Sequence, residues 1–573
     1  MFKHPPSAKT HWRLFFVFIF FALGALVITG RYFYLQILHY RDFAGLASKQ
    51  GATGVPEPRR GAIYFQDKDG KLQAAAFNRD FLTLSAHPKD VSDPAEAASQ
   101  LAEILHLPAL GIEKKLSQQN DIYEVLARKV DDAAAVKIQA LDLAGILLEN
   151  QSRRFYPSRE LGAHVLGYAQ FDNDTEVGRY GIERQFQNEL AGKVGILEGI
   201  DTPLGILTLG KRIVYPEENG KDIVLTIDPN IEAEAQKQLE AVVKKYNAES
   251  GTVTVVDPMT GKILAMAGVP TFDPNNYGST TNLGVFLNHV VESNYELGSV
   301  MKPVTMASAV NEGVVTPETT YTDTGEVQIK GYRIQNYDGK AHGLQTMAGV
   351  LQKSLNTGAV FAEGKIGNAK FLNYLKLFGF GERTGIDLPG EVAGNISNLS
   401  AGRDIEFATA SFGQGIAVTP MQMTMAVSAI ANGGNLMKPY VVDRVVDEAG
   451  VVSQFQPEVR RRVISPQTSE TLSKMLVSVV ETGFENRATI KGYFVAAKTG
   501  TAQIPNPRGK GYSPDDFIHS FVGYAPAFNP RFLIFIQMNK PRGVSFASNS
   551  LTTTFHDLSS YIINYYGILP DQR

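Results

Sequence analysis

The chain has 573 residues, 44% of them apolar and 20% charged, with a net charge of −3 and no cysteine. That length is too great for one hydrophobic core, so two or more domains are expected. The near-neutral balance argues against general nucleic-acid binding, and the missing cysteines exclude disulfide staples, Cys-ligated zinc and a thiol nucleophile.

Residues 1–13 carry Lys3, Lys9 and Arg13 and no acid. They precede "LFFVFIFFALGALVITG" (14–30), 17 residues without a charge, and after Arg31 "YFYLQIL" continues the apolar character to Leu38. About 20 apolar residues span a bilayer, and a terminal arginine can snorkel to the interface. Residues 14–38 are therefore expected to form a single transmembrane helix. The basic tail 1–13 is then cytoplasmic and the remainder lies outside. A cleaved signal peptide, with "ALGA" (22–25) as its cleavage site, would call for a shorter apolar run.

Residues 39–220 alternate short strand-like and helical runs and read as a mixed spacer module. "DPAEAASQLAEILHL" (93–107) has an Asp-Pro start and apolar residues at helical spacing, and "DAAAVKIQALDLAGILLE" (132–149) is expected to be helical too. "LEGIDTPLGILTLGKRIVYPEENGKDIVLTID" (197–228) reads as β hairpins. A second domain, 221–573, opens with the strand "DIVLTID", the helix "PNIEAEAQKQLEAVVKKYN" (229–247) and the hairpin "GTVTVVDPMTGKILAMAGV" (251–269). Helical stretches follow. Then come the strands "YFVAAKTGTAQI" (493–504), "SFVGYAPAF" (520–528) and "RFLIFIQMN" (531–539), and a closing helix at 551–568. Strands at both ends with helices between predict an α+β domain, an antiparallel sheet packed by helices.

Three short segments carry chemistry. In "GSVMKP" (298–303), Pro303 forces any helix to begin near Ser299. Ser299 then sits at a positive helix end, with Lys302 one turn on along the same face. A desolvated lysine is a competent base for a serine hydroxyl. In "KSLNTG" (353–358), Ser354 and Asn356 can point one way from a tight turn, the hydroxyl to relay a proton and the amide to fix a substrate backbone. In "AAKTGTAQ" (496–503), Lys498, Thr499 and Thr501 suit a carboxylate, Gly500 would let a substrate lie against the strand, and the Thr501 N–H could join that of Ser299 as an oxyanion donor. Each segment alone has a bland reading as a solvated helix, an ordinary turn or a chance tripeptide. In this order, separated by about 50 and about 140 residues, Ser-x-x-Lys, Ser-x-Asn and Lys-Thr-Gly are the set used by penicillin-binding proteins and related β-lactamases.

The chain resembles a class B penicillin-binding protein of the division type, a peptidoglycan D,D-transpeptidase. "RRGAIYFQDKDGKLQA" (59–74), "RRFYP" (153–157), "AHVLGY" (163–168) and "GRYGIE" (178–183) are similar to the family's pedestal, or dimerisation-type, motifs. "YELGSVMKP" (295–303), "SFGQGIAVTPMQM" (411–423) and "SFVGYAPAFNP" (520–530) are similar to its catalytic blocks. Departures are Leu297 where proline is usual, Asp69 where asparagine is usual, and "SNSLTTTF" (548–555) in place of a Gly-Gly and Ala-Pro pattern. The resemblance implies an elongated pedestal over 39–220 and a serine β-lactamase-like transpeptidase domain over 221–573. It also implies Ser299 as nucleophile, Lys302 as base, Ser354 as proton relay, and Asn356, Lys498, Thr499, Gly500 and Thr501 as substrate-binding residues. No metal or cofactor is implied. The expected ligands are D-Ala-D-Ala stem peptides and β-lactams, and the expected partners are a multi-span glycan polymerase and other division proteins of the bacterial cytoplasmic membrane. The rivals are an elongation role, a β-lactamase-like hydrolase in which Glu391 would activate water, and an inert β-lactam sensor or scaffold. His164, His519, Val300, Met301, the Arg153–Arg154 pair and Glu183 are expected to be structural.

Overall fold

The computed structural model describes residues 8–34 and 58–572, except 119–120, 173–174, 195, 199–211, 216, 484–485, 507–508 and 510. The chain divides into two compact bodies, Met1–Pro58 with Lys193–Glu218, and Arg59–Gly192 with Asn219–Arg573.

In the first body, α1 (Ala8–Phe33) carries exposed Phe15, Phe16, Phe18, Phe20 and Phe21. Among the described residues no helix is long and apolar enough to cross a membrane. The expected anchor, 14–38, lies in part outside the described residues. Of the hairpins expected over 197–228, strands Ile196–Glu198 and Arg212–Tyr215 pair antiparallel, and the chain between them lies outside the described residues.

The second body begins with β1 (Ile63–Gln66) and the long β2 (Leu72–Ala86). Helix α2 (Pro94–Leu105) starts as its sequence predicts: the Asp93 carboxylate accepts from the N–H groups of Ala95 and Glu96, and Pro94 occupies the first turn. After β3 (Glu124–Val130), the expected helix over 132–149 is only half realised. Helix α3 (Asp132–Ala140) ends where Asp142 and Gly145 turn left-handed, at φ 47° and 78°. Residues 146–155 instead form β4 (Ile146–Phe155), paired with β2 from Phe77↔Phe155 to Ala86↔Ile146. A ten-residue partner on β2 outweighs a local helical preference.

The core of this body between β1 and β4 is polar at its centre. Glu183 is fully buried; one carboxylate oxygen accepts from Arg60 Nε (2.9 Å), the other from Arg154 Nε (2.6 Å) and the Tyr156 hydroxyl (3.1 Å). Arg154 and Glu183 are thus the structural pair expected, whereas Arg153 turns away and stacks its guanidinium 3.9 Å from the Phe171 ring centroid.

Strand β5 (Asp222–Leu225) lies parallel to β1, so one sheet takes strands from both sides of residue 220. Gly61 is obligatory there, because a Cβ would fall 1.9 Å from the Lys221 carbonyl oxygen. Then come α4 (Pro229–Lys245), β6 (Ser250–Val256), β7 (Ile263–Val269), α5 (Lys302–Asn311), α6 (Asn356–Ile366) and α7 (Pro420–Ala431). The chain finishes with β8 (Val442–Asp447), β9 (Gly450–Gln454), α8 (Pro466–Thr482), β10 (Ala496–Pro505), β11 (Tyr512–Ala525), β12 (Phe532–Asn539) and α9 (Thr552–Tyr566). The mixed sheet runs β9-β8-β5-β1-β2-β3, with β4 also on β2; the second sheet runs β7-β6-β12-β11-β10 and is antiparallel throughout. Helices α4 and α9 cover one face, packing Leu239 and Leu558 with Val253 and Ile534. Helices α5, α7 and α8 cover the other, packing Val304, Met425 and Leu476 with Tyr524 and Phe535. This is the helix-flanked antiparallel sheet expected from the strand–helix order.

A buried carboxyl contributes to the pH dependence of this body's stability. Glu232, in the first turn of α4, is fully buried and accepts from the Met266 N–H (2.7 Å), and burial pushes its carboxyl from 4.5 up to about 7. Between these values the folded state keeps a proton that the unfolded chain releases, so stability falls as pH rises from 4.5 to 7. Glu232→Gln is expected to match wild type in thermal midpoint at pH 4.5 and to exceed it at pH 8, by about 3 kcal/mol in calorimetry.

Candidate active site

Ser299 sits in a 3₁₀ turn, Gly298–Met301, that runs directly into α5, with Lys302 and Pro303 as that helix's first two residues. The proline thus fixes the helix start as expected, and Val300 and Met301 are buried. The turn is pinned from two sides. The Gly298 N–H donates to the Gly413 carbonyl (3.1 Å), and Ser520 Oγ donates to the Leu297 carbonyl (3.0 Å). Gly500 lies directly beneath, where a Cβ would come within 2.5 Å of Leu297 O and of Ser520 Oγ. The missing side chain of Gly500 therefore seats the serine turn on β10.

Lys302 is 1% exposed, and its Nζ donates to Ser354 O (2.5 Å) and to Ser354 Oγ (3.2 Å). Ser354 adopts φ 54°, the left-handed region that costs a non-glycine residue about 1–2 kcal/mol. Two residues on, Asn356 opens α6; its Nδ2 donates to Gln335 O (2.9 Å) and its N–H to Asn336 Oδ1 (3.0 Å). Among the described residues the Asn356 Oδ1 accepts no hydrogen bond. On β10 the strand alternation puts Lys498 and Gly500 inward and Thr499 and Thr501 outward. Lys498 is 1% exposed, with Nζ 3.2 Å from Thr499 O. Thr501 Oγ1 accepts from the Ala547 N–H (3.0 Å), which keeps its hydroxyl proton free to point elsewhere. β10 is the edge strand of its sheet, so alternate backbone groups are left unpaired by the ladder.

The three distant segments converge. Ser299, Ser354, Thr499 and Thr501 line one cleft of about 620 Å³. Lys302, Lys498 and Gly500 lie buried under it, and Asn356 stands beside Ser354 without lining it. The cleft also takes Gln414, Gln503, Phe517, Ser548 and Asn549, and Tyr337 meets Phe546 edge-on at 5.6 Å along it. Sequence reasoning missed these as site residues. Gln414 belongs to "SFGQG", and Ser548 and Asn549 to the departing "SNSLTTTF", so those stretches carried a signal; Tyr337 and Phe546 carried none.

The rival base is elsewhere engaged. The Glu391 carboxylate accepts from the N–H groups of Thr384 (2.6 Å) and Gly385 (3.0 Å), locking its own turn. His164 Nε2 lies 3.0 Å from Val285 O and His519 Nδ1 lies 2.8 Å from Ser550 Oγ; burial pushes each imidazole down to about 4, as suits packed interior groups.

Residues 251–559 match the penicillin binding protein transpeptidase domain, and residues 56–225 the penicillin-binding protein dimerisation domain. The chain is 34% identical over 538 residues to stage V sporulation protein D of Bacillus subtilis, covering 93% of this chain and 82% of that one. It is 30% identical over 571 residues to the probable peptidoglycan D,D-transpeptidase PbpC of Pseudomonas aeruginosa, covering 99% and 97%. The crystal structure of penicillin binding protein 3 of Mycobacterium tuberculosis complexed with aztreonam superposes with a TM-score of 0.70 at 26% identity, over 90% of this chain and 98% of that one. Two domain matches in this order, and relatives matched nearly end to end, lead to one conclusion: the chain belongs to the class B penicillin-binding proteins.

Proposed function

We propose that the chain is a peptidoglycan D,D-transpeptidase that works through an acyl-enzyme on Ser299. The observation that carries this reading is the buried Lys302 side-chain amine touching Ser354 Oγ (3.2 Å) under the cleft that Ser299 lines. Ser299 Oγ attacks the carbonyl joining the last two D-alanines of a stem peptide, and Lys302 takes its proton. The N–H groups of Ser299 and Thr501 receive the oxyanion. When the C–N bond breaks, the proton passes through Ser354 to the departing amine. Lys498, Thr499 and Thr501 hold the terminal carboxylate, and Asn356 Oδ1 accepts a stem-peptide N–H. An amine from a second stem peptide then attacks the ester, which restores the Ser299 hydroxyl and leaves a cross-link. β-Lactams enter the same path and stop at the ester. The test is incubation of the purified protein with a fluorescent penicillin, followed by peptide mass analysis. One adduct, on the peptide carrying Ser299 and released slowly, is expected. Label on another residue, or release within seconds as in a hydrolase, would overturn the reading.

We also read the apolar segment 14–38 as a single-pass anchor of the bacterial cytoplasmic membrane. Phe15, Phe16, Phe18, Phe20 and Phe21 are each more than half exposed on α1, and 26 helical residues rise about 39 Å. The septal role and the glycan-polymerase partner rest on the family resemblance and belong to the same reading.

A further inference from the structure

We infer that Asp323 is a positioning residue for the reaction, acting on the Ser354–Asn356 turn through Asn336; this rests on the transpeptidase reading above. Asp323 closes the short strand Thr320–Asp323 and is 1% exposed. A carboxylate taken out of water is costly unless its lone pairs are used, and here four donors use them. Thr357 Oγ1 (2.8 Å) and the Gly325 N–H (3.0 Å) donate to one oxygen. Asn336 Nδ2 (2.8 Å) and the His342 N–H (3.0 Å) donate to the other. Asn336, itself 4% exposed, turns its Oδ1 to the N–H groups of Asn356 (3.0 Å) and Thr357 (3.3 Å), the first two amides of α6.

The consequence is local and directional. Ser354 is held at φ 54° between Lys302 and the start of α6, a backbone state that persists only when its surroundings fix it. The Asp323–Asn336 pair supplies that fixation from the α6 side. Through His342 and Asn336 it also ties down the 336–342 loop, which brings Tyr337 to the cleft wall. One buried carboxylate therefore sets the proton relay, the amide that meets the substrate and part of the wall together. Near-isosteric Asp323→Asn leaves one accepting oxygen for four donors and turns an N–H₂ toward two of them.

The experiment measures the second-order acylation rate by a fluorescent penicillin in the full chain, for wild type, D323N, S354A and D323N/S354A, with S299A as control. D323N is expected to lose about 100-fold, the scale of a displaced reacting group. The double variant is expected to lose clearly less than the product of the two single losses, because the part of the D323N effect that runs through the Ser354 hydroxyl is already gone in S354A. A wild-type rate in D323N, or losses that multiply in the double variant, would overturn the inference. If D323N does not fold, N336S, which cuts the link to α6, must show the same loss and the same non-additivity. Label surviving in S299A would instead sink the transpeptidase reading itself, so the two failures are distinct.

Discussion

Lys302→Met is expected to slow acylation of Ser299 by roughly 10²–10⁴-fold, the usual worth of a positioned general base, while the thermal midpoint stays within a few degrees of wild type. The two halves of this result come from the same observation. Lys302 is 1% exposed and its Nζ contacts Ser354 O and Oγ. As a base it cannot be replaced by a thioether. As a packed side chain it can, because methionine has a similar length and volume and carries no charge to desolvate. The lost contact to Ser354 O costs about 1 kcal/mol, and the relieved burial of a polar amine offsets part of it. Stopped-flow acylation and calorimetry on one preparation check both. A large fall in midpoint alongside the lost rate would assign Lys302 a structural role instead.

The chemistry was more legible in the sequence than its support was. Ser299, Lys302, Ser354, Lys498, Thr499 and Thr501 stand out in the sequence because the roles proposed for them demand particular side chains at short spacings. Their meeting was implied only by resemblance, since no local signal brings residue 354 to residue 302. Gly500 shows the limit: what forbids a Cβ there is Leu297 O and Ser520 Oγ, from two other segments of the chain, and a strand seen alone suggests only an approaching ligand. The 132–149 stretch shows another limit, since its second half has helix-compatible residues and becomes a strand because β2 offers a partner across ten residues. Asp323 and Asn336 were silent for the same reason. An aspartate and an asparagine in turn-rich surroundings read as surface groups until their burial and their four donors are seen.

Glu183→Gln tests the other buried charge cluster. Burial alone would raise the Glu183 carboxyl, but the guanidiniums of Arg154 and Arg60 overcome this and hold it below the usual 4.5. A carboxyl so lowered contributes stability that is present above pH 4.5 and is lost as pH falls through its folded value. Glutamine keeps the shape but offers one accepting oxygen, turns an N–H₂ toward an arginine, and takes from two buried guanidiniums, 5% and 1% exposed, the carboxylate that bonds both, leaving them the Glu176 carboxylate nearby. Removing one partner of such a cluster costs about 3–5 kcal/mol, and that loss is the expected shift in unfolding free energy at pH 7 by denaturant titration. The gap to wild type should then narrow as the pH is lowered below 4.5, because the wild-type carboxylate becomes protonated and surrenders the same attraction. A gap that stays constant with pH would mean that Glu183 acts through shape and hydrogen bonding. The pedestal would then be held by its apolar packing around Ile63, Phe65 and Leu166, and the charge would be incidental.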